Sequence, residues 1–466
     1  MDGKQSRSRT RPGLFAFIRG SFPSSFPDML CALPDETVNT LDLLREYESR
    51  NITYVDPAGE WPIVWERAQG VHVWDDQGRK YLDLTAAFGV AAAGHANPKV
   101  VKAGQDQLAK LCHAMGDVHP HRLKAQLARE LSRCTYERWT GTNTGKTIFC
   151  NSGFEAVEAA LKTALLATGE SGVIAFEGAY HGLGYGALSA THRGMFREPF
   201  KKQLKRFGHW VPFPDSKTAV RLMRDQVTRL FGEKKIGAVL IEPIQGRGGI
   251  RVADHGAIRW LSQICKKNRA LLICDEIYTG FGRSGRWFAC EHARVTPDVV
   301  CLGKALTGGF PLSACVGDAH CMDKAWPQAN GEAIHTSTFL GHPVGCAMAL
   351  ENLKEIARRK LPARAEAMGK FLLAELNKLS APVGYRLKAC GYGLMVGLEL
   401  TRGEEPASDE CVRIMKNMLK RGFVILPEGD AGNVIGFIPP LTISQPQLKS
   451  AVRALAEELS LLRGDL

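Results

Sequence analysis

The chain has 466 residues, 45% hydrophobic and 23% charged, an ordinary globular composition large enough for a main domain and a smaller one. Its net charge of +12 comes from basic residues spread along the sequence without a recognisable nucleic-acid module, so no nucleic-acid partner is expected. The 13 cysteines include no CxxC pair and no Cys/His ligand spacing, which argues for reduced thiols in the cytoplasm and against a metal site or disulfide frame; no apolar run approaches the ~20 residues that span a bilayer.

Residues 1–39 read as a basic, flexible arm carrying Lys4, Arg7, Arg9, Arg11 and Arg19. Its one apolar run, Leu14-Phe15-Ala16-Phe17-Ile18, is too short for a signal-peptide core and is followed by Arg19 rather than a small-residue cleavage site, so export is not expected. The pattern then predicts a short helix over 40–50, a hairpin pairing 63–65 with 71–74 around a loop at 66–70, and a glycine- and alanine-rich loop over 85–95. From 147 onward, β-rich runs at 147–150, 173–176, 238–241, 271–274, 299–302 and 313–316 alternate with helical stretches that include 155–168, 217–230 and 257–267. Strands separated by helices of this length imply an α/β fold with a mostly parallel sheet covered on both faces. Beyond about Gly345 the character changes to helices at 346–359 and 363–379 and a strand at 393–400, the pattern of a second, α+β domain.

Chemistry concentrates at the strand ends, where open α/β sheets bind ligands. Asp275 ends the run Leu271-Leu272-Ile273-Cys274, and Lys304 ends Val299-Val300-Cys301-Leu302-Gly303. A lysine in an apolar setting loses its charge readily, as a Schiff-base amine requires, and a nearby carboxylate can keep a pyridinium nitrogen protonated. Those two roles belong to pyridoxal phosphate chemistry. Cys150-Asn151-Ser152-Gly153-Phe154-Glu155 sits between a strand and a helix, so it offers a helix N-terminus for a phosphate; alone it reads rather as a serine cap with Glu155 as partner, and the neighbouring strand ends reverse that preference. Tyr180-His181-Gly182 and Glu242-Pro243 follow two further strands. Each residue singly has a bland reading as packing, cap or surface charge, but five strand ends directing such side chains to one edge do not.

With these motifs in place, the chain from about Thr40 to its end resembles the class III (ω-type) pyridoxal-phosphate-dependent aminotransferases. The resemblance is carried by Asn-Ser-Gly-Phe-Glu-Ala at 151–156, Tyr-His-Gly at 180–182, Glu-Pro-Ile-Gln-Gly at 242–246 and Asp-Glu-Ile-Tyr-Thr-Gly-Phe-Gly-Arg-Ser-Gly at 275–285. Lys304 in Gly-Lys-Ala-Leu, Thr-Phe-Leu-Gly-His-Pro at 338–343 and Pro-Pro-Leu-Thr-Ile at 439–443 extend it. It implies the type I aminotransferase fold: a large domain over 96–344 with a seven-stranded-type sheet, and a small domain built from 40–95 and 345–466. It also implies that Lys304 carries pyridoxal 5'-phosphate as a Schiff base and moves the proton, and that Asp275 pairs with the ring nitrogen. Ser152, Gly153 and Phe154 would hold the phosphate, Tyr180 would stack on the ring, Ile277 would pack behind it, and Glu242 would lie beside the cofactor. Thr338 would reach the cofactor of a neighbouring subunit, making the active unit a homodimer with shared sites.

The chain departs from the family where the substrate would sit. Many members carry an arginine just before Pro-Pro-Leu to bind a carboxylate, and here Gly436 occupies its place; Cys390 likewise stands where many have arginine. Glu242 would then lack its switching partner and could face a substrate amine or hydroxyl. Arg247 is a candidate replacement cation, or else a solvated loop residue, and Phe88 a candidate aromatic wall. The expected activity is ping-pong transfer of an amino group from an amine or ω-amino acid to an oxo acid or aldehyde. A racemase, epimerase or decarboxylase of the same fold, or a cofactor-binding scaffold without activity, are the alternatives; the presence of both Lys304 and Asp275 argues against the last.

Overall fold

The computed structural model describes residues 39–57 and 59–462, so the basic arm expected over 1–39 lies, but for Asn39, outside the described residues. Contacts divide the chain at Val64 and Trp65. In the first unit, helix Thr40–Tyr47 begins where Asn39 Oδ1 accepts the N–H of Leu41 at 2.8 Å. It stops short of the expected Arg50 because Glu48 turns extended, its carboxylate accepting the N–H of Thr53.

The second unit opens with antiparallel strands Trp65–Gln69, His72–Asp75 and Lys80–Asp83. Residues 66–70, expected as a loop, are mostly strand, and the turn lies one step later at Gly70, whose φ of +62° suits glycine. The strand Trp65–Gln69 is largely solvent-exposed, so it carries no apolar alternation from which to recognise it. The 85–95 segment is a loop around a single tight turn in which Ala86, Ala87 and Phe88 all have positive φ.

The centre of this unit is a seven-stranded sheet. Its strands in chain order are β1 (Gly145–Cys150), β2 (Gly172–Phe176), β3 (Gly208–Val211), β4 (Ile236–Ile241), β5 (Leu271–Asp275), β6 (Val299–Leu302) and β7 (Ser313–Asp318), arranged β1-β7-β6-β5-β4-β2-β3. Pairings are parallel except for β7, which runs antiparallel to both neighbours. Because β7 reverses twice, β1 still points the same way as β6, and the C-terminal ends of β1, β2, β4, β5 and β6 meet at one edge. Strands β2, β4 and β6 are buried throughout, as a sheet covered on both faces requires. Helix Gly153–Thr168 packs on it through Ala156, Ala159, Ala160 and Ala164, small residues that let helix and sheet approach closely. Cys150, Cys274, Cys301 and Cys315 are free and buried there, serving as small apolar side chains whose thiols burial pushes far above their ordinary pKa.

Toward the C-terminus, Tyr385–Tyr392 and Met395–Arg402 form a hairpin extended by Val434–Phe437 and Leu426–Glu428. The strand expected from 393 starts at Met395 instead, because Gly393 has φ of +55° and forms the turn. Phe423–Val424 pairs in parallel with Lys80–Asp83, so early and late parts of the chain share a sheet. Among the described residues no helix is long and apolar enough to cross a membrane.

Candidate active site

At the shared strand edge lies a cavity of about 410 Å³. Gly153, Phe154 and Tyr180 line it beside Glu242, Arg247, Asp275, Ile277 and Lys304, so eight residues singled out from the sequence converge in one place. A larger groove of about 820 Å³ lies beside Lys162, Lys205 and Lys235, but it contains none of them.

Lys304 follows β6 with φ of +33°, a strained backbone for a residue with a side chain. Its amine stands 4.3 Å from the centre of the Tyr278 ring. Burial lowers its pKa, against the opposing pull of Asp275, Glu242 and Glu428. Asp275, at the end of β5, is 4% exposed. One of its oxygens lies 2.8 Å from His181 Nδ1, and the other accepts the N–H of Ile277 at 3.1 Å. The far nitrogen of His181, Nε2, is buried without a hydrogen-bond partner. His181 stands in the Tyr-His-Gly motif, but only the folded chain brings its ring to Asp275.

Between β1 and helix Gly153–Thr168, Glu155 accepts the N–H groups of Asn151 and Ser152 at 2.6 and 2.9 Å, so its half of the expected cap is present. The hydroxyl of Ser152 is buried and makes no hydrogen bond. A buried hydroxyl at the positive end of a 16-residue helix is left ready for an anion. Gly182 follows because the ring loop presses on Phe154: its φ is +108°, and a Cβ there would lie 2.3 Å from Phe154 Cβ. Tyr180 meets Phe196 edge to face at 5.5 Å.

Glu242 does not stand without partners. Its carboxylate accepts the N–H of Tyr180 at 3.0 Å and of Gly246 at 3.2 Å, while burial pushes its pKa up to about 7. Arg247 lies beside another acid instead, with Nη1 3.5 Å from Glu428 Oε2. Gly436 pairs across the sheet with Gly397, which in turn faces Cys390, and a Cβ on Gly436 would meet Glu428 Cγ at 3.2 Å. The room left by the absent side chain at 436 is thus taken by Glu428. Nothing in the sequence signalled Glu428, which sits in the three-residue strand Leu426–Glu428. Tyr278 was part of a quoted motif, yet its place beneath the lysine depends on Gly246 and Gly89, whose bare backbones adjoin its ring. Four expected residues are not part of the cavity wall: Ser152, next to Gly153 in the chain; Gly436, within its sheet; Phe88, 51% exposed although its turn packs near Lys304–Leu306; and Thr338, exposed on a loop.

A lysine and an aspartate at adjacent strand ends, facing a helix N-terminus across one cavity, define an enzyme site on an α/β sheet. Residues 54–459 match the family Aminotransferase class-III. The chain is 34% identical to an acetylornithine aminotransferase of Methanosarcina mazei over 91% of its own length and 100% of that protein. It is 36% identical to a 5-aminovalerate aminotransferase of Pseudomonas aeruginosa, over 85% of this chain and 93% of the other. Among solved structures, a PLP-bound amine transaminase from an uncultivated Pseudomonas species superimposes with a TM-score of 0.80 at 27% identity, covering 90% of this chain and 99% of that one. The chain belongs to the class III aminotransferases and has the type I aminotransferase fold. It is a transaminase; the racemase, decarboxylase and scaffold alternatives fall away.

Proposed function

We propose that this aminotransferase uses pyridoxal 5'-phosphate held at Lys304 to move an amino group from a terminal amine or ω-amino acid to an oxo acid or aldehyde. The observation that carries the reading is the convergence of Lys304, Asp275 and Gly153, at the helix start, on one cavity, with the unpartnered Ser152 hydroxyl one residue before Gly153. The orphaned Ser152 hydroxyl fits a phosphate, aided by the N–H groups of Gly153 and Phe154. Tyr180 and Ile277 offer faces for a flat ring, and the Asp275 carboxylate suits a protonated ring nitrogen. When bound, pyridoxal phosphate supplies a carbonyl to which an amine attaches and a ring that accepts electron density from the neighbouring carbon.

The chain's own residues supply the rest. Lys304, its amine made easier to deprotonate by burial, carries the cofactor and then takes and returns a proton at Nζ as the amino group moves. Tyr278 supports that amine from below. His181 orients Asp275, keeping its carboxylate directed into the cavity. Glu242, tied to two backbone N–H groups, holds the Tyr180 loop against the β4 end. The two relatives are named for acetylornithine and 5-aminovalerate, amino compounds that also carry a carboxylate, which supports an ω-amino acid donor. We also propose a cytoplasmic homodimer in which Thr338, exposed on its loop, contributes to the partner subunit's site, and a small domain drawn from 40–95 and 345–466.

An amine-donor panel tests the reading. The cofactor-loaded enzyme is mixed with 5-aminovalerate, simple terminal amines and α-amino acids, and the cofactor's absorbance is followed without an acceptor. Conversion with terminal amines, reversed by an oxo acid, is expected. Conversion confined to α-amino acids would refute the donor class.

A further inference from the structure

Resting on the transaminase site proposed above, we infer that Arg193 is a positioning residue of that site, a guanidinium tie that sets the Arg247 loop at a fixed place relative to Tyr180. Tyr180 and Arg247 line the cavity, whereas Arg193 is not part of its wall. The Arg193 side chain is 11% exposed, so its charge and donors must be met within the protein. Two other segments meet them. Nη1 donates to the carbonyl of Arg247 at 2.5 Å, Nη2 donates to that of Gly429 at 3.2 Å, and Nε lies 3.3 Å from Asp430 Oδ1. A planar fork with donors fixed in several directions suits this arrangement, where the single ammonium of a lysine would not.

The other end of the tie is anchored at the base of the Tyr180 loop. His192, the preceding residue, donates its N–H to the Ala179 carbonyl at 2.9 Å, and its Nδ1 accepts the N–H of Gly178 at 3.1 Å. The backbone just before Arg193 is thus bound to the backbone just before Tyr180. Phe196 closes the connection: its N–H reaches the Arg193 carbonyl at 3.2 Å, and its ring meets that of Tyr180 edge to face at 5.5 Å. The guanidinium carbon of Arg193 lies 5.9 Å from the centre of the same Phe196 ring. Arg193 therefore belongs to the Tyr180 side of the site by its backbone, and to the Arg247 and Gly429 segments by its side chain.

Glu242 already joins the same two segments at the β4 end, where its carboxylate accepts the N–H groups of Tyr180 and Gly246. One point of attachment leaves the Arg247 loop able to pivot about Gly246; a second, at the Arg247 carbonyl, fixes its orientation. The remaining support is backbone only. The Arg247 carbonyl also accepts the N–H of Gly429 at 3.1 Å, and the Gly429 carbonyl accepts that of Gly432 at 3.1 Å. Neither carbonyl is orphaned when the guanidinium is removed, so variants at 193 should fold while losing the register between two parts of the cavity wall. A shift of about 1 Å in groups that position a substrate costs on the order of 100-fold in rate.

The test follows the donor half-reaction of cofactor-loaded wild type, Arg193→Ala and Arg193→Lys over a range of 5-aminovalerate concentrations, together with the circular dichroism of the bound cofactor. Arg193→Ala is expected to lose about 10- to 100-fold in the apparent second-order rate constant, mostly as a raised half-saturating concentration, and to show a weaker cofactor band. Millimolar guanidinium chloride, which should leave wild type unchanged, is expected to restore both by filling the vacated site. Arg193→Lys should fall between the two, without rescue. Wild-type kinetics in Arg193→Ala, a loss that guanidinium does not relieve, or wild-type behaviour in Arg193→Lys overturns the inference. Should Arg193→Ala not fold, Arg193→Lys decides alone: a raised half-saturating concentration with a weaker band supports the tie, and wild-type values overturn it. The dichroic band needs no donor, so failure of wild type to convert 5-aminovalerate counts against the donor class, while the band still decides the role of Arg193.

Discussion

Alanine at Gly153 would place a Cβ 3.0 Å from Ile277 Cγ2 and 3.1 Å from Ile277 Cδ1, several tenths of an ångström inside ordinary contact. Ile277 sits between two glycines, since a Cβ at Gly303 would likewise lie 3.3 Å from Ile277 Cγ2. One way out for the crowded side chain is into the cavity that Ile277 lines. Overpacking of this kind costs about 1–3 kcal/mol, partly offset by about 0.4–1 kcal/mol from the stiffer unfolded chain. The net of ~1–2 kcal/mol should fall largely on cofactor binding, because the displaced side chain intrudes where the ring is proposed to lie; that corresponds to roughly 5- to 30-fold weaker affinity. Ile277→Ala removes all the crowding atoms, so the same glycine substitution made in that background should cost next to nothing. The assay is absorbance titration of cofactor-free wild type, both single variants and the double variant with pyridoxal phosphate. Additive effects, with no coupling between the two positions, would refute the placement of Ile277 between the phosphate cradle and the lysine turn.

Two other perturbations test different parts of the structure. Glu276 is fully buried, accepting hydrogen bonds from Ala289 and Cys290 N–H and from the Thr279 hydroxyl, and burial pushes its pKa up to about 7 from 4.5. A carboxyl raised in the folded state favours folding below its unfolded pKa, and that contribution is lost as pH rises through about 7, on the order of 3 kcal/mol. Urea unfolding of cofactor-free protein at pH 5 and pH 8 should show part of this loss disappear in Glu276→Gln; an identical pH dependence in the variant would contradict it. His181→Asn removes the ring partner of buried Asp275 and should slow the donor half-reaction by about 10- to 100-fold, the cost of leaving a buried acceptor poorly matched. A shift in the bound cofactor's absorbance–pH profile should accompany the slowing; loss of rate with an unmoved profile would mean that His181 is structural only.

The parts of the fold that could be read in advance are those in which burial writes itself into composition. Strands β4, β5 and β6 are continuous apolar runs, and their charged ends announced Glu242, Asp275 and Lys304. Strand β3 escaped because Gly208-His209-Trp210-Val211 is a short, half-exposed edge strand, and Trp65–Gln69 escaped because its side chains face water. The substrate side was less legible still. Gly436 marked a missing arginine, but Glu428 fills that space from a neighbouring strand through a register that no local pattern encodes. Arg247 was noticed as a cation, yet its partner is Glu428 rather than Glu242, whose carboxylate is engaged by backbone N–H groups. The residues proposed to face the cofactor cluster in short motifs at strand ends; those proposed to face the substrate are assembled from distant segments.

The central claim is that Lys304 carries the cofactor. Borohydride reduction of the enzyme loaded with pyridoxal phosphate, followed by peptide mass mapping, tests it directly. A phosphopyridoxyl group confined to the peptide containing Lys304, and absent in Lys304→Ala, is the expected result. Stable labelling of a different lysine, or none in wild type, would contradict the account.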